Sequence, residues 1–450
     1  MVKMKRFFWG LILLMICAVS NATHHRGGQI LFRHISGYTY EFTITMFYYT
    51  PIFAAPQRVE SSITVSWGDN TTSIILSETV EQLPDNYFKT IYRTRHTFPG
   101  SGVYTVLMEE YGRNPNIMNI STTNSVSFSV KAILRIDPNN GPNNSPLFLT
   151  DTFDKAAVGR RFVHNLSAYD IDGDSLSYEL AVCTGAGGME IEAFTLPETS
   201  NELYVDGITG DFVWDAPVKT GVYNIAIRVI EWRHGVKISS TVRDMQIEVV
   251  DSDNNPPVVP AFRDTCVVAG TFLSIPVHAT DADGDEIILT ATGGPFEMSY
   301  NKAIFTVGNS SPGSVNASFT WQTDLTHIRK QPYTVVFRAE DQNDEVKLVS
   351  FANYNIYLGG CKLPTSNIDE INIAPLARIY PNPTDGMVTL EFESEGVYHL
   401  ALADMSGRTL LRNTVTGQSA QIDIGNYPAG VYLLTIDDAK RQYTMRIVKN

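Results

Sequence analysis

Apolar and polar positions alternate with a period of two along most of this chain. In Tyr38-Thr39-Tyr40-Glu41-Phe42-Thr43-Ile44-Thr45-Met46 every second residue is apolar or aromatic, and residues 387–392 and 431–436 follow the same rhythm. A period of two turns one face of a strand toward a core and the other toward water. Gly and Pro turns punctuate these runs, and helical periodicity is nearly missing, so short strands in stacked sandwiches are expected. The long apolar run at residues 7–19 breaks the rhythm. It follows Lys3, Lys5 and Arg6 and ends at Ser20-Asn21-Ala22, a small-x-small cleavage site. A bilayer core needs ~20 apolar residues, so this run reads as a secretory leader over 1–22, with the mature chain starting near Thr23. Lipidation at Cys17 is disfavoured by the bulky Ile16 before it. No later run is apolar enough to span, so the mature chain is expected to have no transmembrane segment.

Two stretches of the interior repeat each other. Asn143-Asn144-Ser145-Pro146 is answered by Asn254-Asn255-Pro256-Pro257, and Asp170-Ile171-Asp172-Gly173-Asp174 by Asp281-Ala282-Asp283-Gly284-Asp285, both displaced by 111 positions. Farther on, Phe212-Val213-Trp214 is answered by Phe319-Thr320-Trp321, and residues 222–228 by residues 332–338. A strand-rich repeat of this length reads as tandem immunoglobulin-like sandwiches. The fold class expected is all-β: tandem immunoglobulin-like β-sandwiches, each with its own core, closed by a small C-terminal β-sandwich. The domains expected are a first sandwich over 23–137, repeats over 143–251 and 255–360, a linker over 361–373 and a terminal sandwich over 374–450.

Three resemblances sharpen this. The terminal block opens with Tyr380-Pro381-Asn382-Pro383-Thr384-Asp385-Gly386, has a central Asp404-Met405-Ser406-Gly407 turn, continues with Tyr427-Pro428-Ala429-Gly430-Val431-Tyr432 and closes on a basic strand through Arg446 and Lys449. In order and spacing it resembles the type A C-terminal sorting domain of the type IX secretion system. That resemblance implies passage through the periplasm to the outer cell surface or medium, recognition by the secretion machinery and its sorting protease, and release or attachment to surface lipopolysaccharide. Trp67-Gly68-Asp69-Asn70 and the later His96-Thr97-Phe98-Pro99-Gly100 resemble the polycystic-kidney-disease (PKD) domain, with residues 51–57 as a loop. The aspartate-rich loop and the linker Asp251-Ser252-Asp253-Asn254-Asn255-Pro256 resemble cadherin and its bacterial cadherin-like relatives.

Three carboxylates on alternate residues repel one another unless a cation lies among them, and hard oxygen ligands suit Ca²⁺. An EF-hand is excluded because its twelfth position, a Glu there, is Ala181 in one loop and Thr292 in the other. The cadherin resemblance implies Asp251, Asp253, Asn254, Asp281 and Asp283 as ligands at the second junction, with Asp285 completing the loop. At the first junction Asp170, Asp172 and Asp174 are the corresponding candidates, behind a weaker linker, Asp137-Pro138-Asn139-Asn140. The pattern departs from the family: Asp253 and Asn254 exchange its Asn and Asp, and no L-D-R-E segment lies upstream. The alternative is a polar hairpin in which Asp caps the loop and Gly takes positive φ. Both readings stay open.

In an immunoglobulin-like sandwich the first and last strands pair in parallel, which brings Cys266 and Cys361 together as a candidate disulfide worth ~4 kcal/mol in a chain-entropy account. Cys183 is expected to be a buried free thiol. The chain carries 34 Lys plus Arg against 48 Asp plus Glu, so phosphate backbones repel it and nucleic acid is excluded as a partner. No GxSxG, HExxH, GxxxxGK[ST] or strand-linked GxGxxG occurs, so no enzyme is expected. Glu109 and Glu110 are neighbours on a strand, cannot flank one bond and are expected to face solvent. The leading reading is a non-catalytic exported stalk or adhesin with a glycan or protein ligand. A carbohydrate-binding protein using Tyr48-Tyr49, Trp232 or Tyr300 is second, and a hydrolase with an unrecognised site third.

Overall fold

The computed structural model describes residues 24–49, 60–121, 126–150, 153–359, 377–404, 408–438 and 442–450. The leader, the 51–57 loop, Cys361 and the 361–373 linker lie outside these residues. The chain forms two compact units, Met1–Cys361 and Lys362–Asn450.

The first sandwich consists of β1 (His24–Ser36), β2 (Thr39–Tyr49), β3 (Ser62–Ser66), β4 (Thr72–Gln82), β5 (Tyr87–Thr97), β6 (Gly102–Glu110) and β7 (Phe128–Ile136). They pair in the order β1-β2-β5-β4-β3-β6-β7. The period-two expectation is met on β2, where Tyr40, Phe42, Ile44 and Met46 are buried in one core. The Trp67 turn and the His96 segment meet there: the Trp67 and His96 rings stack at 4.5 Å, and His96 Nε2 lies 2.7 Å from Asp69 Oδ2.

The first repeat holds β8 (Leu147–Phe148), β9 (Lys155–Ala157), β10 (Arg161–Asn165), β11 (Ala168–Tyr169), β12 (Ser175–Ala181), β13 (Leu203–Val205), β14 (Asp211–Asp215), β15 (Gly221–Arg233) and β16 (Val236–Val250). The second holds β17 (Thr265–Val267), β18 (Phe272–Thr280), β19 (Ile287–Gly293), β20 (Ile304–Ser311), β21 (Ser314–Gln322), β22 (Tyr333–Asp341) and β23 (Val349–Leu358). Strand order is the same in both. β9-β16-β15-β12 packs over β10-β14-β13 as β17-β23-β22-β19 packs over β18-β21-β20, and each first strand runs parallel to the last. Trp214 and Trp321 are fully buried at matching positions on β14 and β21. Both repeats are immunoglobulin-like sandwiches. Cys266 on β17 is disulfide-bonded, and its expected partner Cys361 lies outside the described residues. Cys183 is free and buried.

The first sandwich and first repeat are not separate beads. On the side of β16 away from β15, β7 pairs at Ser239–Thr241, β1 at Asp244 and Met245, and β9 at Glu248–Val250. Both terminal strands of the first sheet therefore end on one strand of its neighbour. The approach is close enough that a Cβ on Gly27 would lie 2.5 Å from the Asp244 carbonyl oxygen. Arg113, from the loop after β6, reaches across. Its guanidinium donates to Asp244 Oδ1 and Oδ2 at 3.2 and 2.8 Å, to Asn224 Oδ1 at 2.8 Å and to the Thr184 carbonyl at 2.8 Å. Asn224 Nδ2 donates to Asp244 Oδ1 at 2.7 Å.

The second unit holds β24 (Ala377–Tyr380), β25 (Met387–Asp404), β26 (Thr409–Asp423), β27 (Gly430–Asp437) and β28 (Gln442–Lys449) around a core that includes Val388, Leu390, Leu402, Leu434 and Ile447. Its opening motif is tied to its last strand. Asn382 donates to the Arg446 carbonyl at 2.7 Å and accepts from Val448 N–H at 2.8 Å, and Thr384 N–H donates to the Val448 carbonyl at 2.9 Å.

Replacing Arg113 with Ala leaves the Asp244 carboxylate buried without its charge partner, an error that costs about 3–5 kcal/mol in such sites. Chemical denaturation of the Arg113→Ala chain should show a loss of that size in the first unit; a loss below about 1 kcal/mol, the ceiling for an exposed pair, would show that the pair is not what holds this junction.

Candidate functional site

The loops between β11 and β12 and between β18 and β19 carry the two aspartate clusters, and they are built alike. The middle aspartate holds the linker: Asp172 accepts from Asn144 N–H and Nδ2 at 2.8 and 2.7 Å, and Asp283 accepts from Asn255 N–H and Nδ2 at 2.7 and 3.0 Å. The first aspartate closes the loop: Asp170 Oδ1 accepts from Asp174 N–H at 2.6 Å, and Asp281 Oδ1 from Asp285 N–H at 3.1 Å. A further acid arrives from the neighbouring strand in the same register. Glu231 pairs with Leu176 on β12 as Asp341 pairs with Ile287 on β19. Each acid accepts from the linker asparagine: Glu231 from Asn143 Nδ2 at 3.3 and 3.4 Å, Asp341 from Asn254 Nδ2 at 2.9 Å.

Carboxylate oxygens of Asp170, Asp174 and Glu231 lie within 4.8 Å of one another, and those of Asp281, Asp283 and Asp285 do so in the second loop. In the second cluster, buried Asn254 Oδ1 and Asp281 Oδ2 have no hydrogen-bond partner. Burial pushes the Asp341 carboxyl up to about 6. In the first cluster, burial pushes Glu231 well above the usual carboxylate range, and the neighbouring Asp170 carboxylate adds to the rise. A cavity of about 410 Å³ opens onto the second cluster, lined by Asp253, Asn254, Asp283, Asp285 and Asn343 among others. Thus Asp253, Asn254, Asp281, Asp283 and Asp285 come together. Asp251 is exposed and does not line that cavity. Sequence reading missed Glu231 and Asp341 because they arrive from a strand some fifty to sixty residues beyond the loop; the matching register of the repeat was the available signal.

Other expectations need correction. Glu109 accepts from Gly187 N–H at 2.8 Å, and Glu110 is half-buried, with burial, then Glu60 and Glu109, pushing its carboxyl up to about 7. Tyr48 is buried with its hydroxyl 3.2 Å from that of Tyr92, and Trp232 is half-buried with Nε1 on Ser177 Oγ at 2.7 Å. Tyr300 alone of the proposed sugar-stacking residues stands fully exposed.

A cavity of about 450 Å³ lies where the first sandwich and both repeats meet, and is lined by Tyr87, Phe153, Asp154, Arg338 and Glu340 among others. Asp154, just before β9, and Glu340 on β22 are clamped: Arg338 Nη2 donates to Asp154 Oδ1 at 2.6 Å and Glu340 Oε2 at 2.5 Å, and His164 Nδ1 lies 3.0 Å from Asp154 Oδ2. Burial alone would raise the Asp154 carboxyl; the Arg338 charge and the His164 hydrogen bond outweigh it and hold the group at about 2. An acid held there is ionised at neutral pH and has no proton to give to a leaving group.

Residues 378–450 match the family described as the secretion system C-terminal sorting domain, and the second unit is a domain of that family. A sorting tail of this kind implies export to the outer cell surface or secretion. No curated protein matches the chain. Among solved structures, Drosophila N-cadherin EC1-3 is similar at 10% identity over 69% of this chain and 93% of that one, with a TM-score of 0.19. The zebrafish RET cadherin-like domains 1 to 4 align at 12% identity over 95% and 96%, TM-score 0.18, and the ICAM-5 D1–D4 fragment at 12% over 92% and 95%, TM-score 0.17. At these scores the likeness carries no argument of its own, and the sandwich assignment rests on strand order. Among the described residues no helix is long and apolar enough to cross a membrane.

A carboxyl held below its unfolded value contributes stability that is present above that value and lost as pH falls through the folded one. Asp154 should therefore contribute about 2 kcal/mol at neutral pH, disappearing between about pH 4 and pH 2. Comparing urea unfolding of the native and Asp154→Asn chains across that window checks it: the variant should be less stable at neutral pH and should lack this part of the acid limb.

Proposed function

We propose that this is a non-catalytic surface or secreted protein, delivered across the outer membrane by the type IX route, whose immunoglobulin-like sandwiches form a stalk or adhesive module. The observation that carries the reading is the sorting-domain match at residues 378–450, where the opening turn and the final strand hold one another in place. On this reading the tail meets the secretion machinery and its sorting protease, and the body is then released or attached to surface lipopolysaccharide. A chain ending before Ala374 should accumulate in the periplasm; its normal arrival at the cell surface would refute the sorting role.

The second aspartate cluster is proposed to hold Ca²⁺. The residues present fit that ion: buried Asn254 Oδ1 and Asp281 Oδ2 lack partners, and all the side chains offered are hard oxygen donors. Asp281, Asp283, Asp285, Asn254 and Asp341 would hold it, and bound Ca²⁺ would supply positive charge that fixes the linker to the loop. A ligand binding only the folded state at a hundred times its dissociation constant adds ~2.7 kcal/mol. Thermal unfolding of the full chain with calcium and with chelator should therefore separate clearly, and coincident midpoints would remove calcium from this reading.

A further inference from the structure

We infer that the first aspartate cluster carries its own cation, the guanidinium of Arg233, and that position 233 in the first repeat and its counterpart 343 in the second decide which cluster takes a divalent metal ion. The second half of this statement rests on the calcium reading of the Asp281 loop; the first half does not.

The two positions correspond by register. Glu231 and Asp341 occupy the same place against β12 and β19, and Arg233 and Asn343 each lie two residues farther along the chain. What they deliver differs. Arg233 uses all of its five N–H donors. Nε and one Nη2 hydrogen go to Asp174 Oδ1 and Oδ2 at 2.8 and 2.6 Å, a bidentate pairing. The second Nη2 hydrogen goes to Asn143 Oδ1 at 3.0 Å, and Nη1 reaches the Asn140 and Pro142 carbonyls, both at 2.8 Å. Five oxygens, from a carboxylate, an amide and two linker carbonyls, therefore surround one positive charge, the kind of shell a hard cation gathers.

The Asn343 side chain offers a single neutral N–H to the cluster, Nδ2 to Asp285 Oδ2 at 2.9 Å, and its backbone N–H lies 3.4 Å from Asp341 Oδ1. The oxygen left over is informative. Asn143 Oδ1 is satisfied by Arg233, whereas its counterpart Asn254 Oδ1 is buried with no partner. Asp170 Oδ2 and Asp281 Oδ2 are alike buried without a partner, so what sets the clusters apart is the hydrogen bond on the linker asparagine and the charge that the arginine brings to the first. Arg160, a guanidinium at the second linker, bonds the backbone carbonyls of Asp253 and Asn254. It does not supply the lost contact.

Exchanging the two residues in the full-length chain tests this. Two readouts suffice: Ca²⁺ stoichiometry by titration calorimetry after chelation, and thermal midpoint with chelator or with ~1 mM calcium, a concentration suited to extracellular modules. The native chain should bind at the second cluster, and Asp172→Asn/Asp174→Asn should leave its stoichiometry unchanged. Arg233→Asn should lower the midpoint in chelator, recover it with calcium and add a class of sites. Asn343→Arg should remove the calcium response of the native chain while keeping the fold. Three results overturn the inference: a folded Arg233→Asn chain indifferent to calcium, an Asn343→Arg chain with the native calcium response, or a stoichiometry that falls in the Asp172/Asp174 variant. A native chain that ignores calcium would instead sink the calcium reading, and Arg233→Asn would still decide whether the guanidinium stands in for a cation.

Discussion

Backbone hydrogen bonds left open at a sheet edge must be covered, and in this chain one strand meets both edge strands of the first sheet. β16 pairs with β15 on one side and with β7, β1 and β9 in succession on the other. Both edges of the first sheet are closed without a strand of its own to spare, which removes the exposed template that invites wrong pairing. Burying Arg113 and Asp244 at the same contact fixes which strands may meet there. A buried ion pair contributes little net stability, yet any register that separates its members leaves a bare charge. The described residues of the first sandwich and the first repeat are therefore joined by continuous strand pairing.

That continuity reaches the first aspartate loop. The linker after β7 is stitched to β1 before it meets the loop: Ser145 N–H donates to the Phe32 carbonyl, Phe32 N–H to Ser145 Oγ, each at 2.9 Å, and His34 N–H to Asn144 Oδ1 at 2.9 Å. Asn144 also donates to Asp172, so loop, linker and first sandwich are a single hydrogen-bonded assembly. A guanidinium of fixed length suits such a preset geometry. The second junction is held by other means, through Arg160 on the linker carbonyls, Arg338 on Asp154, and Arg329, which lies over the Tyr169 and Tyr333 rings and donates to the Asp170 carbonyl. The duplicated loop thus sits in two different settings, and the residue two positions beyond the matching-register acid differs between them.

The alternation of β2 and the Trp-bearing repeats were legible because period and punctuation are local properties of a sequence. The parallel pairing of first and last strands followed once the repeat was read as a sandwich. The fusion through β16 was not legible. Val236 to Val250 reads as an ordinary final strand, and nothing in it announces that its second edge serves another domain; the signals were the close-packing Gly27-Gly28 pair and a buried arginine in a loop, both unremarkable until placed in space. The aspartate loops were found, but the acids Glu231 and Asp341 were not, since ligand sets assembled across strands leave no spacing in the chain. Arg233 was missed for the same reason, and it changes the meaning of the motif that was found.

The sorting domain shows the converse case, a local signature in which several of the described residues are architectural. Gly386 sits where a Cβ would come within 2.9 Å of Gly425 Cα, with φ at +155°. Tyr432 turns its hydroxyl back to the Pro428 carbonyl at 2.6 Å, bracing the turn that starts β27. Asn382 clasps β28 from the far end of the sequence. Gly386, Tyr432 and Asn382 are each explained by the turn or clasp they make, before any partner is invoked. A signature of this kind identifies a fold, and an address is conveyed only through the surface that fold presents. Mutating one motif residue would then disturb recognition by loosening the sandwich, so stability and delivery should fall together along such a series.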